Sequence, residues 1–282
     1  MRIGAHLSAA GGYANALTKL EEIGGNCLQI FASPPRNWTN ASPTDLQKSE
    51  FINLKARFQT DPVYFHATYL INLSDDGRIG ESSKSILIDE LNLAPKIGVR
   101  GSVVHLGSFK EKLPDEEVFR EHPKHKLLLN NLSEVLKNIP NESLLIIENA
   151  GTHKIGASIA EIGFLIKSLK DKRVRVCLDT CHLHAAGFDL SNEKQLNQFL
   201  EMFDKLVGIE NLELFHANDS KDELGSYRDR HENIGDGKVG NEVFINLLNN
   251  PNTKDKPFIL EVPGLDKKGP DKPNLDIFKS LA

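Results

Sequence analysis

Histidines and carboxylic acids recur at the ends of apolar runs along this 282-residue chain. His66 closes VYFH, His105 follows VV, and Glu148 ends LLIIE. Asp179 and His182 stand three apart in DTCH, directly after VRVCL. His216 follows LELF, Asp229 and His231 flank Arg230 in DRH, and Glu261 follows FIL. Imidazole nitrogen and carboxylate oxygen are donors that zinc accepts, and one carboxylate can bridge two ions. Buried without partners, such groups are costly; a cation removes the cost. Five histidines and four acids exceed what one ion needs, and three sites with waters in vacant positions could share them. Each residue also has a plainer reading: a hydrogen-bonded histidine at a strand end, Glu148 capping a turn, DRH as an ion-paired surface turn. Their joint occurrence at one kind of position favours a metal centre.

The elements that must position these residues are visible in the same runs. Apolar stretches lie at 2–8, 27–32, 63–68, 103–108, 144–149, 174–180, 212–219 and 258–263, with starts 25 to 46 residues apart. Each gap accommodates a crossover helix. Several runs are apolar almost throughout, as parallel strands buried on both faces require. Helical spacing of apolar residues appears at 13–23, 83–97, 125–139, 159–169 and 193–206, with a short helix beginning at 241, and Pro95 bends or ends the second. Eight strands alternating with helices predict an α/β chain folded as a (β/α)8 TIM barrel, with a doubly wound sheet as the competitor. No linker interrupts the pattern, so residues 1–282 read as one barrel domain. In such a barrel the active site lies at the C-terminal face of the strands, and the nine candidate ligands fall there.

Composition narrows the classes. With 39% hydrophobic and 26% charged residues the chain can build a large core, which excludes global disorder. No run of eighteen uncharged apolar residues exists, so no membrane partner is expected. The opening MRIGAHLSAAGG reads as a strand and a glycine-rich turn rather than a leader. Three cysteines make no disulfide framework, and a cytoplasmic location follows as the expectation. Cys177 reads as core and Cys181 as a small buried thiol. His6 and His184 read as supports of the centre, and His122, His125 and His153 as structural or exposed. The formal charge of -5 argues against a basic nucleic-acid face. Three divalent ions would add six positive charges and bring it to +1, concentrated on the rim. Gly235, Gly237 and Gly240 suit turns and lack the strand-associated pattern of a nucleotide cofactor site.

Taken together, IGAHLSAAGG, LQIFASPPRNW, HATYLINL, VVHLGS, IIENAG, CLDTCHLHAAGFDL, FHANDS, DRHENIGDGKVG and FILEVPG give the chain a strong resemblance to bacterial endonuclease IV along nearly its whole length. These are zinc-dependent deoxyribonucleases that act at apurinic and apyrimidinic sites. The resemblance implies the eight-stranded barrel and three zinc ions. One would take His66, His105 and Glu148; a second Glu148, Asp179, His216 and Glu261; the third His182, Asp229 and His231. It implies hydrolysis of double-stranded DNA on the 5′ side of an abasic site in base excision repair, leaving a 3′-hydroxyl and a 5′-deoxyribose phosphate. Removal of blocked 3′ ends is a further implied activity. Glu148 as the bridging charge and Glu261 beside the attacking water are the implied catalytic groups. The family pattern is altered at Ala67 and Thr68 in HATYL, at Ala217 in HANDS and at His184, without loss of a candidate ligand.

The same resemblance places Arg36 and Tyr69 against bent DNA near the missing base, where an aromatic face fills space left by displaced nucleotides. Without it they would read as a surface arginine and a loop-packing tyrosine. Trp38 suits loop packing or substrate contact equally. Asn218, Asp219 and Ser220 are expected to shape the rim. Lys221, Arg228 and Arg230 are phosphate-contact candidates, with solvent-facing salt bridges the alternative for the two arginines, and the segment at 107–113 is a weaker candidate. No obligate protein partner is indicated. Two other classes use similar features: a divalent-metal sugar isomerase or epimerase on the same barrel, and a noncatalytic DNA-binding protein. The first needs fewer ligands and a compact sugar pocket; the second does not require all nine.

Overall fold

Eight short strands run parallel and close on themselves in the computed structural model, which describes residues 1–110 and 122–282. In chain order the strands are β1 (Ile3–His6), β2 (Cys27–Phe31), β3 (Val63–His66), β4 (Gly101–Val104), β5 (Leu144–Glu148), β6 (Val174–Asp179), β7 (Leu212–His216), β8 (Asp219–Ser220), β9 (His231–Glu232) and β10 (Phe258–Leu260). β1 to β7 follow one another around the barrel, and β10 closes it between β7 and β1. That closure removes the doubly wound alternative and agrees with the expected barrel. β8 and β9 stand apart as an antiparallel ribbon above the rim, which the sequence reading did not anticipate.

The helices pack outside: α1 (Tyr13–Ile23), α2 (Asp45–Arg57), α3 (Arg78–Leu93), α4 (Pro123–Lys137), α5 (Ile159–Leu169), α6 (Thr180–Ala185), α7 (Glu193–Leu206), α8 (Asn241–Asn249) and α9 (Lys272–Ser280). Their apolar stripes meet the outward side chains of the strands. On α7, for example, Leu196, Phe199, Leu200 and Phe203 are buried, the spacing of one helical face. Pro95 has the expected effect, because α3 stops at Leu93 and a 3-10 turn takes Ala94–Ile97. α3 begins at Arg78, earlier than its apolar pattern suggested. α2 was not expected at all. Only Phe51 of it is fully buried, and a capping box holds its start: Gln47 N–H donates to Thr44 Oγ1 at 3.3 Å, and Thr44 N–H donates to Gln47 Oε1 at 2.8 Å. α9 was likewise missed, between a Pro-rich loop and the C-terminus.

Side chains inside the barrel form layers, because successive residues of a strand point to opposite faces. One layer is Cys27, Tyr64, Val103, Ile146, Cys177, Leu214 and Ile259, one from each of seven strands, packed as a separate apolar cluster. The eighth strand offers Gly4 at this level. A Cβ there would sit 1.6 Å from the carbonyl oxygen of Cys27, so the β1–β2 approach admits only glycine. This layer is the floor on which the rim is built. Among the described residues no helix is long and apolar enough to cross a membrane.

Candidate metal centre

One step of two residues up each strand reaches the next inward position. From the apolar floor that step gives Gln29, His66, His105, Glu148, Asp179, His216 and Glu261, and from Gly4 it gives His6. All eight inward positions of the layer are therefore polar, and six of them are candidate ligands named from the sequence. His105 and Glu261 lie one residue beyond their strands. The other three candidates come from above. Asp179 accepts a hydrogen bond from His182 N–H at 3.0 Å, so it both ends β6 and caps α6, and the DTCH spacing is that of an N-cap and its third residue. The pairing of Ser220 with His231 in the β8–β9 ribbon carries DRH back over the barrel.

The nine side chains converge. Glu148 lies at the middle: one carboxylate oxygen is 3.2 Å from His66 Nε2 and 3.3 Å from His105 Nε2, the other 3.2 Å from both His182 Nδ1 and His216 Nδ1. His216 Nδ1 is also 3.3 Å from Glu261 and 3.8 Å from Asp179. Asp229 Oδ1 is 3.1 Å from His182 Nε2 and 3.4 Å from His231 Nε2. Donor atoms within 4.8 Å of one another form the groups His66–His105–Glu148, Glu148–Asp179–His216–Glu261 and His182–Asp229–His231, and the first two share Glu148. These are the three sets the family resemblance implied. A fourth group, Asp179–Cys181–His231, was not expected. Burial, reinforced by the neighbouring Asp179, pushes the Cys181 thiol up to about 12, so it stays protonated, in keeping with its reading as a buried thiol.

Electrostatics mark the cluster as made for cations. Burial opposes charge on every member, yet most are held ionised by one another. It raises the Glu148 carboxyl, but His105, His216 and His182 outweigh it and hold the group well below the usual range. Burial lowers His216 and His182, but Cys177, Glu261 and Glu148 lift the first, and Asp179, Asp229 and Glu148 the second, well above the usual imidazole value. His231, opposed by burial but lifted by Asp179 and Asp229, reaches about 9. His105 goes the other way, to about 4, because burial prevails over Glu148. The buried His105 Nδ1 has no hydrogen-bond partner, and His182 Nε2 and His231 Nε2 face the Asp229 carboxylate at 3.1 and 3.4 Å without the alignment of a hydrogen bond. Four acids, imidazole nitrogens without a hydrogen bond and a shared carboxylate suit more than one divalent cation, with a donor set that zinc accepts.

Surrounding polar groups fix the candidate donors. His66 Nδ1 is 2.8 Å from the Ala67 carbonyl and His182 Nδ1 2.9 Å from the Asn149 carbonyl, which directs each Nε2 inward. Asn218 Nδ2 donates to Asp179 at 2.7 Å while its Oδ1 accepts from Glu261 N–H at 2.7 Å. Asp219 accepts from the N–H groups of Gly235, Gly237 and Val239, tying the loop after β9 to the ribbon. The expectation that Asn218 and Asp219 shape the rim is met in this way. His6 sits 2.7 Å from Glu261, and His184 Nε2 is 3.1 Å from the Asp222 carbonyl below the DRH loop. Gln29 and Asn149 were missed. Counting two residues on from Cys27 would have found Gln29.

Arg36 and Tyr69 lie on two loops that are joined to each other. Thr68 Oγ1 and Tyr69 N–H both donate to the Pro35 carbonyl, at 2.7 and 3.2 Å, joining the loops after β2 and β3. Tyr69 is 61% exposed and its ring lies 5.2 Å from that of Phe31. Trp38 is exposed. Arg228 and Arg230 both pair with Asp222, Arg230 by two hydrogen bonds of 2.5 and 2.7 Å. His153 stacks on Tyr227 at 4.2 Å. The weaker phosphate candidate at 107–113 lies outside the described residues beyond Lys110.

Residues 17–281 match the family model described as xylose isomerase-like TIM barrel. A probable endonuclease 4 of Solibacter usitatus is 36% identical over 288 residues, covering 100% of this chain and 97% of that protein. A probable endonuclease 4 of Halothermothrix orenii is 37% identical over 278 residues, covering 95% and 96%. Endonuclease IV from Thermus thermophilus superposes with a TM-score of 0.84 at 32% identity, covering 100% of this chain and 98% of that one. A D-tagatose 3-epimerase-like protein superposes at 0.70 with 16% identity, which is a likeness of fold alone.

Proposed function

Since the chain belongs to the endonuclease IV family of metal-binding TIM-barrel enzymes, we propose that it is a zinc-dependent hydrolase that cuts duplex DNA on the 5′ side of abasic sites. The observation that carries this reading is the convergence of nine donors, from six barrel strands, α6 and the DRH loop, into three groups. A free-sugar isomerase needs fewer, and a DNA-binding protein without chemistry needs none. Zinc held by these groups would acidify water and neutralise charge on phosphate oxygens.

The chain's own residues supply the rest. Glu148 and Asp179 are sealed from solvent, whereas Glu261, His105, His231 and Asp229 keep open surface. A phosphate therefore meets the centre from the Glu261 and Asp229 side. Glu261 is placed to orient the attacking water and take its proton, while His6 and Gln29 hold one of its oxygens at 2.7 Å each. Water oxygen bonds to phosphorus as the bond to the 3′ oxygen breaks, and the departing oxygen takes a proton from solvent, giving a 3′-hydroxyl upstream and a 5′-deoxyribose phosphate. No protein nucleophile is required. Arg36 contacts backbone phosphate, and Tyr69, supported by Phe31, fills the gap at the missing base.

The test uses end-labelled duplex with one synthetic abasic site. Protein stripped of metal and then reloaded with measured zinc should cut only when loaded, on the 5′ side, with close to three ions per chain. Cleavage on the 3′ side, or turnover of a free ketose with intact DNA, would overturn the proposal.

A further inference from the structure

The polar layer at the top of the barrel has eight members, and two of them, His6 and Gln29, belong to none of the candidate metal groups. Gln29 is completely buried on β2, where the floor below it is apolar. A buried amide is retained at a cost unless each of its polar atoms finds a partner. Here they do. Gln29 Nε2 is 2.7 Å from Glu261 Oε1, and Gln29 Oε1 is 2.9 Å from His216 Nε2.

We propose that Gln29 is a positioning residue of the centre, one amide that orients two donors of the same metal group, His216 and Glu261. The Glu261 carboxylate can only accept, so the amide nitrogen must face it. The amide oxygen then faces His216 and accepts the proton of Nε2. His216 Nδ1 is left as the free nitrogen, aimed at Glu148 and Glu261. With the amide turned over, oxygen would oppose the Glu261 carboxylate, and His216 would keep its proton on the nitrogen that faces the centre. Glu261 receives its second support from His6, which lies 2.7 Å from the same oxygen.

This inference rests on reading the cluster as a metal centre, and its test separates the two. The zinc-loaded wild type and Gln29→Met, which keeps the volume without the amide, are dialysed against graded chelator, with circular dichroism to follow the fold. The variant should release one ion of the set at about 10- to 100-fold lower chelator concentration, as loss of an outer partner of a metal ligand does. The remaining ions and the fold should be unchanged. Equal retention of every ion would overturn the role. Should Gln29→Met fail to fold, long-range nitrogen–proton correlation on the zinc-loaded wild type decides. A His216 proton on Nε2 supports the proposal, and a proton on Nδ1 overturns it. If the wild type itself binds no zinc and leaves abasic duplex intact, the functional reading fails first. If it binds and cuts while Gln29→Met keeps full affinity, only the positioning role fails.

Discussion

Glu90 carries a carboxyl into the layer between α3 and β4, just behind the strand that presents His105. It is fully buried, and it accepts a hydrogen bond from the Ser102 hydroxyl. Burial pushes it from an ordinary 4.5 up to about 8, against the smaller opposing effects of Ser102 and His66. The folded protein therefore binds this proton more tightly than the unfolded chain does. The stabilisation is complete below pH 4.5 and is lost as pH rises toward 8, where the folded group must ionise in place. A shift of this size corresponds to a ceiling of about 5 kcal/mol. Cations at the adjacent centre favour the ionised form and bring the expected loss to between roughly 1 and 5 kcal/mol. Glu90→Gln keeps the shape and a hydrogen-bonding group but cannot ionise. Urea unfolding of the zinc-loaded protein at pH 5.5, 7 and 9 should show wild type losing stability relative to the variant as pH rises. A difference that stays constant over that range would refute the reasoning.

Glu148→Gln removes the charge shared by two groups, so zinc content measured by atomic absorption should fall by at least one ion and cleavage by more than about 100-fold, the upper end for an outer partner. Arg36→Ala and Tyr69→Ala should keep full zinc content yet bind abasic duplex more weakly, by about 1 to 3 kcal/mol for the stacking residue in a gel-shift titration. Arg36→Ala should also flatten the salt dependence of binding. Gly237→Ala would put a Cβ 2.4 Å from Asp219 Oδ1 and 2.5 Å from the Ser220 carbonyl oxygen, displacing the strand that pairs with His231. Zinc analysis should then show the ion of the His182–Asp229–His231 group lost first, with the other two retained.

Much of this protein is legible without a structure, because period and spacing are local properties. Apolar runs too long for one-sided burial, separated by helix-sized gaps, specify buried parallel strands, and their number suggests closure. Acids and imidazoles at the ends of those runs pick out the rim. Elements with a weak local signal are not legible in this way. α2 buries only Phe51 fully and is defined by the Thr44 capping box more than by an apolar face. The β8–β9 ribbon pairs two residues with two, too few to show a pattern. α6 is six residues long, and its start is set by the same Asp179 carboxylate that faces the centre.

Which groups share which carboxylate was decided only by the closed barrel. His66 and His216 are far apart in the chain, yet both lie 3.2 Å from Glu148, because closure puts β3, β5 and β7 around one axis. Gln29 shows the same limit from the other side. In the sequence it is one polar residue within CLQIF; in the barrel it shares a level with seven other polar groups and joins two of them. Amino-acid order fixes the direction and height of each side chain along its own strand. The distance across the barrel axis, on which shared ligation depends, exists only once the sheet has closed.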